Sequence, residues 1–295
     1  MMTIYNAFPA YPAHCITLNT GQCMPLINFG GTFRPGHDSN FSEFLRQGGR
    51  GIDTALTYTD PQNALIADAI STAGIPRSEL WVTTKVPCCP SGSRWCSMSE
   101  FNVSTVDAMK KNNKLLRIET TDLTLLHWPC STAEQTIQTW LQLERGLKEG
   151  LTKAIGVSNF NSSLLAHLAA DPRTSVTPAV NQCNHAVGNH NASHLPEHGG
   201  DDGTVDYCAK HGISYSAYSP LEGLSGRDIF DLPQVKAIAT AHDVSGAQVA
   251  LKWLVQQQPP ISVVSAADKA EYIAEDLDLF SFELSQEEMA ELAAI

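Results

Sequence analysis

The chain reads as one α/β domain over residues 1–295, a closed (β/α)8 barrel entered through an N-terminal β-hairpin. Three observations predict this. Eight apolar runs of strand length recur along the chain: LINFGG (26 to 31), GIDTA (51 to 55), LWVTTKV (80 to 86), LTLLHW (123 to 128), KAIGVSN (153 to 159), AVNQCN (179 to 184), SYSAYSP (214 to 220) and ISVVSA (261 to 266). Between them, stretches such as NALIADAISTAG, FNVSTVDAMKKNNKLL, AEQTIQTWLQLERGLKEG and GAQVALKWLVQQQ carry apolar residues at the i, i+3, i+4, i+7 spacing of an amphipathic helix. Near-continuous apolar strands joined by helix-length crossovers mean a parallel sheet covered by helices, and eight such units favour closure into a barrel over an open doubly wound sheet.

In chain order, ITLNTGQCMPL places Asn19-Thr20-Gly21 between two short apolar pieces, the pattern of a hairpin. After the first barrel strand, Phe29-Gly30-Gly31-Thr32 lacks the GxGxxG spacing that would cradle a pyrophosphate in an open sheet, so the dinucleotide-domain alternative loses ground. No linker divides the chain. Its richest loop, GNHNASHLPEHGGDDG (188 to 203), falls inside one strand-helix unit, where a barrel tolerates insertion.

At 295 residues and 43% hydrophobic content the chain can bury a full core. Net charge is −12 without runs of like charge, which argues against nucleic acid or an anionic membrane as partner. No run approaches 18 apolar residues and MMTIYNAFPA lacks the basic start of a secretory signal, so a cytoplasmic location is expected. The eight cysteines are scattered, several in apolar runs; they are expected to be reduced, with structural disulfides absent. Cys88, Cys89 and Cys96 lie in PCCPSGSRWCSMS without zinc-finger spacing and read as loop.

Barrel enzymes carry their chemistry at the C-terminal ends of the strands. Four ionisable residues obey that rule together: Asp53 and Tyr58 in GIDTALTY, Lys85 in LWVTTKV and His127 in LTLLHWP. Each alone has a structural reading, as a cap, a core aromatic, a rim charge or a satisfied core histidine. Together at one mouth they supply a phenol, an ammonium, a carboxylate and an imidazole, which is the equipment for protonating a carbonyl as it is reduced.

At these residues the chain resembles the aldo-keto reductases, nicotinamide-dependent enzymes on a (β/α)8 barrel. The resemblance runs in order through MPLINFGGTF, GIDTALTY, LWVTTK, LTLLHWP, AIGVSNF, NQCNH, AYSPL and IAEDLDLFSFELS. It implies a catalytic tetrad of Asp53, Tyr58, Lys85 and His127, with Tyr58 donating the proton, Lys85 making the phenol a stronger acid, Asp53 holding Lys85 and His127 orienting the carbonyl oxygen. It further implies cofactor contacts from Thr32, Phe33, Asp53, Ser158, Asn159 and Gln182, a nicotinamide stacked on Tyr218, and Ser219, Leu221 and Arg227 at the pyrophosphate. The substrate is a small carbonyl compound, walled by Phe33, Trp95 and Trp128, and the family habit is a monomer that needs no metal.

Three departures qualify the resemblance. Where the family grips an adenosine 2′-phosphate with Lys, Arg and Asn, this chain has Val264-Ser265-Ala266-Ala267, Tyr272 and Asp276, with Lys269 nearby. The 2′-phosphate grip reads as degenerate, and three outcomes stay open: NADP(H) held through Lys269, a shift toward NAD(H), or a degenerate site. Second, the chain stops at Ile295 and has Pro87 where many relatives place a tryptophan, so an open, less selective pocket is expected. Third, His185, His190, His194 and His198 crowd the 184 to 203 loop; irregular spacing reads as a solvated loop rather than a metal site. Two other functions fit a barrel with this mouth, non-redox lyase, isomerase or dehydratase chemistry and a non-enzymatic binding subunit. Retained Ser158, Asn159, Gln182 and Tyr218 speak against the first, and the intact tetrad against the second.

Overall fold

A computed structural model of the protein describes residues 14–31, 39–58, 60–88, 103–190, 198–221 and 229–295. It begins with the expected hairpin: β1 (Cys15–Thr17) and β2 (Cys23–Pro25) pair antiparallel, Thr17 against Cys23. Gly21 closes the turn at φ +81°, a left-handed conformation that a side chain would resist. Leu18 and Met24 of this hairpin pack in one cluster with Leu125 and with Trp81, Leu123 and Val180, the first residues of three barrel strands. The hairpin thus closes the floor of the barrel and leaves the opposite end for chemistry.

The chain then alternates as its apolar periodicity predicts. The first half runs β3 (Ile27–Gly30), α1 (Phe41–Arg46), β4 (Gly51–Asp53), α2 (Asp60–Thr72), β5 (Trp81–Val86), α3 (Thr105–Leu115), β6 (Leu123–Leu126) and α4 (Ala133–Lys148). The second half runs β7 (Ile155–Ser158), α5 (Ser162–Ala170), β8 (Val180–Asn184), α6 (Asp202–Lys210), β9 (Ser214–Tyr218), α7 (Pro233–His242), α8 (Gly246–Val255), β10 (Ser262–Ser265), α9 (Ala270–Leu277) and α10 (Gln286–Ala293). Strands β3 to β10 are all parallel and close into a ring through the β10–β3 pair. Apart from that floor cluster, buried apolar side chains on strands and helices form one main core, including Phe29, Phe44, Ile52, Trp140 and Phe160 at 0% exposure. Helix starts are stated locally: Ser104, Thr132, Asn161 and Asp201 accept a backbone N–H at the N-caps of α3, α4, α5 and α6. Ser245 and Ser285 complete full capping boxes at α8 and α10.

The cysteine expectation is corrected. Cys15 and Cys23 are bonded across the hairpin, and Cys88 is bonded to Cys130, each pair with Cα atoms 5.5 Å apart. That separation lies within disulfide range. An apolar setting does not prevent a bridge when topology places two cysteines on adjacent strands or strand ends. Cys183 and Cys208 are buried free thiols, and Cys89 and Cys96 lie outside the described residues. Disulfides persist in oxidising surroundings, so cysteine usage no longer argues for a reducing compartment. Among the described residues no helix is long and apolar enough to cross a membrane.

Candidate active site

The ring of parallel strands determines which side chains meet at its mouth. Gly30 of β3 pairs with Asp53 of β4, and Asp53 with Thr83 of β5, so the last residue of β4 lies beside the segment that ends in Lys85. Lys85 Nζ donates to Asp53 Oδ1 and, at 3.0 Å, to the Thr54 carbonyl. Both side chains are almost wholly shielded, at 3% exposure each. The other carboxylate oxygen, Asp53 Oδ2, accepts from Gln182 Nε2 at 2.8 Å across the barrel. Asp53 therefore braces two opposite walls of the mouth.

Tyr58 follows β4 after a turn in which its N–H donates to the Ala55 carbonyl at 3.1 Å. Its ring centre is 5.7 Å from Lys85 Nζ and 6.1 Å from the His127 ring, which meets it nearly edge-on at 75°. A Cβ added to Gly31 would come within 3.4 Å of the Tyr58 ring, so the end of β3 lies directly against the phenol. His127 follows β6, its N–H on the Val86 carbonyl at 2.9 Å and its Nδ1 3.2 Å from Thr57 Oγ1.

Charge in this pocket is shaped by burial first. Burial pulls the Lys85 ammonium down, but Asp53 and then Tyr58 more than offset it, and its pKa is raised. Burial pushes the Tyr58 phenol up; Lys85 lowers it, as the sequence implies, and Asp53 raises it, so the net direction is upward. Burial, with Lys85 adding to it, brings His127 down to about 3, so its imidazole is neutral at working pH.

The opposite wall is a connected polar network. Ser158 Oγ donates to the Gln182 carbonyl at 2.7 Å. Asn159, at φ +65°, donates through Nδ2 to the His127 carbonyl at 2.9 Å and to Ser158 Oγ at 3.1 Å. The Tyr218 hydroxyl donates to Asn159 Oδ1 at 2.9 Å. Among the described residues, buried Gln182 Oε1 meets no hydrogen-bond partner. Just past β9, Ser219 takes a left-handed φ of +50° and Leu221 packs on the core.

Ser265 Oγ donates to Asp276 Oδ2 at 2.6 Å, both residues at 3% exposure, and burial brings the Asp276 carboxyl up to about 6 although Ser265 opposes the shift. Asp276 is thus turned onto β10. Lys269, before α9, lies over the exposed Tyr272 ring at 4.7 Å and donates to its hydroxyl at 3.2 Å.

Trp128 stacks beside His127 with ring centres 6.4 Å apart, and His198 meets it edge-on at 5.0 Å. The expectation of a solvated histidine loop is corrected for two members: His185 and His190 are 2% and 3% exposed. They pack against Trp253 with ring centres at 6.0 and 5.1 Å, and His190 Nδ1 lies 3.0 Å from Asp202 Oδ1. The reason is that the loop folds back: Tyr215 OH donates to the Gly199 carbonyl at 2.7 Å, and Gly199 and Gly200 sit too close to the Phe160 and Asn184 carbonyls to admit a Cβ. Thr32, Phe33, Trp95, Arg227 and His194 lie outside the described residues. Thr57 and the carboxylate link of Gln182 were not anticipated; Thr57 adjoins Tyr58 in GIDTALTY, whereas the Gln182–Asp53 contact spans 129 residues and has no local signal.

The Aldo/keto reductase family matches residues 41–295. An aldo-keto reductase of Mycolicibacterium vanbaalenii is 33% identical over 280 residues, 94% of this chain and 90% of that protein. The glyoxal reductase of Bacillus subtilis is 32% identical over 284 residues, 95% of this chain and 92% of that protein. The crystal structure of MGS-M4, an aldo-keto reductase from a Medee basin deep-sea metagenome library, superposes with a TM-score of 0.79 at 30% identity, covering 95% of this chain and 94% of that one. In fold and in sequence over nearly its whole length, this chain belongs to the aldo/keto reductase family of oxidoreductases.

Proposed function

We propose that the chain reduces the carbonyl of a small aldehyde or ketone to an alcohol, with Tyr58 as proton donor and NAD(P)H as hydride source. The observation that carries this reading is the Asp53–Lys85 pair buried against the Tyr58 ring. Neither charge has another reason to leave water, since a buried pair costs desolvation that its attraction barely offsets. Its use is to keep a fixed cation beside a phenol. A free tyrosine, with a pKa of about 10, gives up its proton too reluctantly to serve near neutrality; burial raises the Tyr58 phenol further, and Lys85 is the neighbour that opposes that rise and favours proton release as an alkoxide develops.

His127 takes the second role. In the tautomer where the neutral ring's Nδ1 accepts from the Thr57 hydroxyl, the proton is on Nε2, and that N–H can donate to the carbonyl oxygen and share its charge. When bound, a reduced nicotinamide supplies the hydride. The residues fit it: Gln182 Oε1 is a buried acceptor awaiting a donor, which a carboxamide N–H would satisfy, with Ser158 and Asn159 alongside and the Tyr218 ring as the stacking surface. Arg227, Thr32 and Phe33 complete the proposed contacts, and Phe33, Trp95 and Trp128 the substrate walls.

At the adenosine end the reading departs from strict NADP(H) use. Asp276 is occupied by Ser265, and Lys269 is a single cation beside Tyr272. One charge-assisted bond contributes about 1.5–3 kcal/mol. The enzyme should therefore accept both cofactors, with NADPH favoured by no more than about a hundredfold. The relative from Bacillus subtilis is named for glyoxal, and small reactive aldehydes are the first substrates to assay. Titration of NADPH and NADH by fluorescence quenching, followed by turnover with an aldehyde panel, tests the reading. Failure of both cofactors to bind would remove it.

A further inference from the structure

We propose that the Cys88–Cys130 bond is a thiol–disulfide control site for the carbonyl pocket, opened by a small dithiol. The inference rests on the carbonyl-reductase reading for its kinetic consequence, but not for its chemistry. Strands β5 and β6 pair from Thr83–Leu123 to Val86–Leu126, and among the described residues the last backbone bond between them is His127 N–H to the Val86 carbonyl. Just beyond that point the disulfide takes over as the cross-link, with Cα atoms 5.5 Å apart. Cys88 lies three residues past Lys85 and Cys130 three residues past His127, so the bond ties together the two segments that leave the catalytic strands. The tied segment after His127 is Trp128-Pro129, and Trp128 is the ring beside His127 and His198.

The surroundings favour exchange. Cys88 is 2% exposed while Cys130 is partly exposed, so an incoming thiolate would attack from the Cys130 side. Thr139, fully buried in α4, places its hydroxyl 3.6 Å from Cys88 Sγ and 3.4 Å from Cys130 Sγ, within reach of either sulfur as it becomes a thiolate. The Cys130 N–H donates to Thr136 Oγ1 at 3.1 Å, which holds its backbone on α4 after the bond opens. In the first step the dithiol's thiolate bonds to Cys130 Sγ, the Cys88–Cys130 bond breaks, and the electron pair passes to Cys88, which takes up a proton. The second thiol of the reductant then displaces Cys130 as a thiolate, which is protonated; the protein is reduced by two electrons and the dithiol leaves as its cyclic disulfide. Closure is the same exchange run backwards with an oxidised dithiol.

The Cys15–Cys23 bond is an internal control, since it staples the hairpin at the opposite end of the barrel. The test compares wild type before and after dithiothreitol with Cys88→Ser/Cys130→Ser and Cys15→Ser/Cys23→Ser. Mass spectrometry of alkylated peptides reports which bonds are open. Two quantities are read: the KM for an aldehyde, and acrylamide quenching of tryptophan with Trp128→Phe as reference. Opening Cys88–Cys130 should raise KM several-fold and increase Trp128 quenching, with cofactor affinity unchanged. The Cys88→Ser/Cys130→Ser protein should show both changes without reductant, and Cys15→Ser/Cys23→Ser should respond as wild type does. The proposal is overturned if neither quantity moves once the bond is shown open, if the Cys88→Ser/Cys130→Ser protein still responds, or if both thiols are alkylated in protein never exposed to reductant. Absence of turnover in every sample would instead sink the reductase reading, and the quenching comparison would still decide this one.

Discussion

Asp53→Asn keeps the side chain's shape and removes its charge, which isolates the buried ion pair. Lys85 would retain the Thr54 carbonyl at 3.0 Å and lose its counter-charge, at 3% side-chain exposure. Removing one partner of such a pair typically costs about 3–5 kcal/mol. An upper bound follows from the alternative open to the lysine, which is to fold uncharged. Deprotonating an amine of pKa about 10.4 at pH 7 spans about 3.4 pH units at about 1.36 kcal/mol each, or about 4.6 kcal/mol; at pH 9 the same step costs about 1.9 kcal/mol. In wild type the Lys85 pKa is raised, so its contribution is complete below the unfolded value and is lost only as pH climbs through the folded one. The deficit of the variant should therefore shrink from about 3–4.6 kcal/mol at pH 7 to no more than about 1.9 kcal/mol at pH 9. Urea unfolding followed by tryptophan fluorescence measures both. A loss below about 1 kcal/mol at pH 7, or one that does not shrink at pH 9, would refute the reasoning.

Two further outcomes follow from residues outside the mouth. Asp276 is brought up to about 6, so its stability penalty develops as pH rises from about 3.9 through that value. Asp276→Asn, whose amide oxygen can still accept from Ser265, should gain about 2–3 kcal/mol at pH 7 and almost nothing at pH 4, read as a Tm shift in each buffer. Cys15→Ser/Cys23→Ser opens a link of sequence separation 8 and should cost about 2.5 kcal/mol in chemical unfolding. A cost near zero would mean the bridge does not form.

The barrel was legible because each strand is a short run buried on both faces, and all eight were recovered within a residue or two at their ends. Asp53, Lys85 and His127 were legible for the same reason, since residues that close or follow an apolar strand must emerge at one rim. What local pattern could not show was pairing across distance. Cys88 and Cys130 are separated by 42 residues and meet only because β5 and β6 are neighbours in the ring. The resemblance implies a cofactor role at Asp276, yet the turn from β10 into α9 brings Ser265 within 2.6 Å and takes up its carboxylate. His185 and His190 sit in a polar, glycine-rich segment and are nevertheless core residues, because Gly199 and Gly200 allow the loop to fold back onto β8.

The central claim is that Tyr58 hands its proton to the carbonyl oxygen. It is tested most directly by Tyr58→Phe, following loss of nicotinamide absorbance with an aldehyde and, separately, cofactor affinity by fluorescence titration. The account predicts turnover lower by about a hundred- to ten-thousand-fold with cofactor affinity unchanged. Turnover within a few-fold of wild type, or a loss explained entirely by weaker cofactor binding, would contradict it.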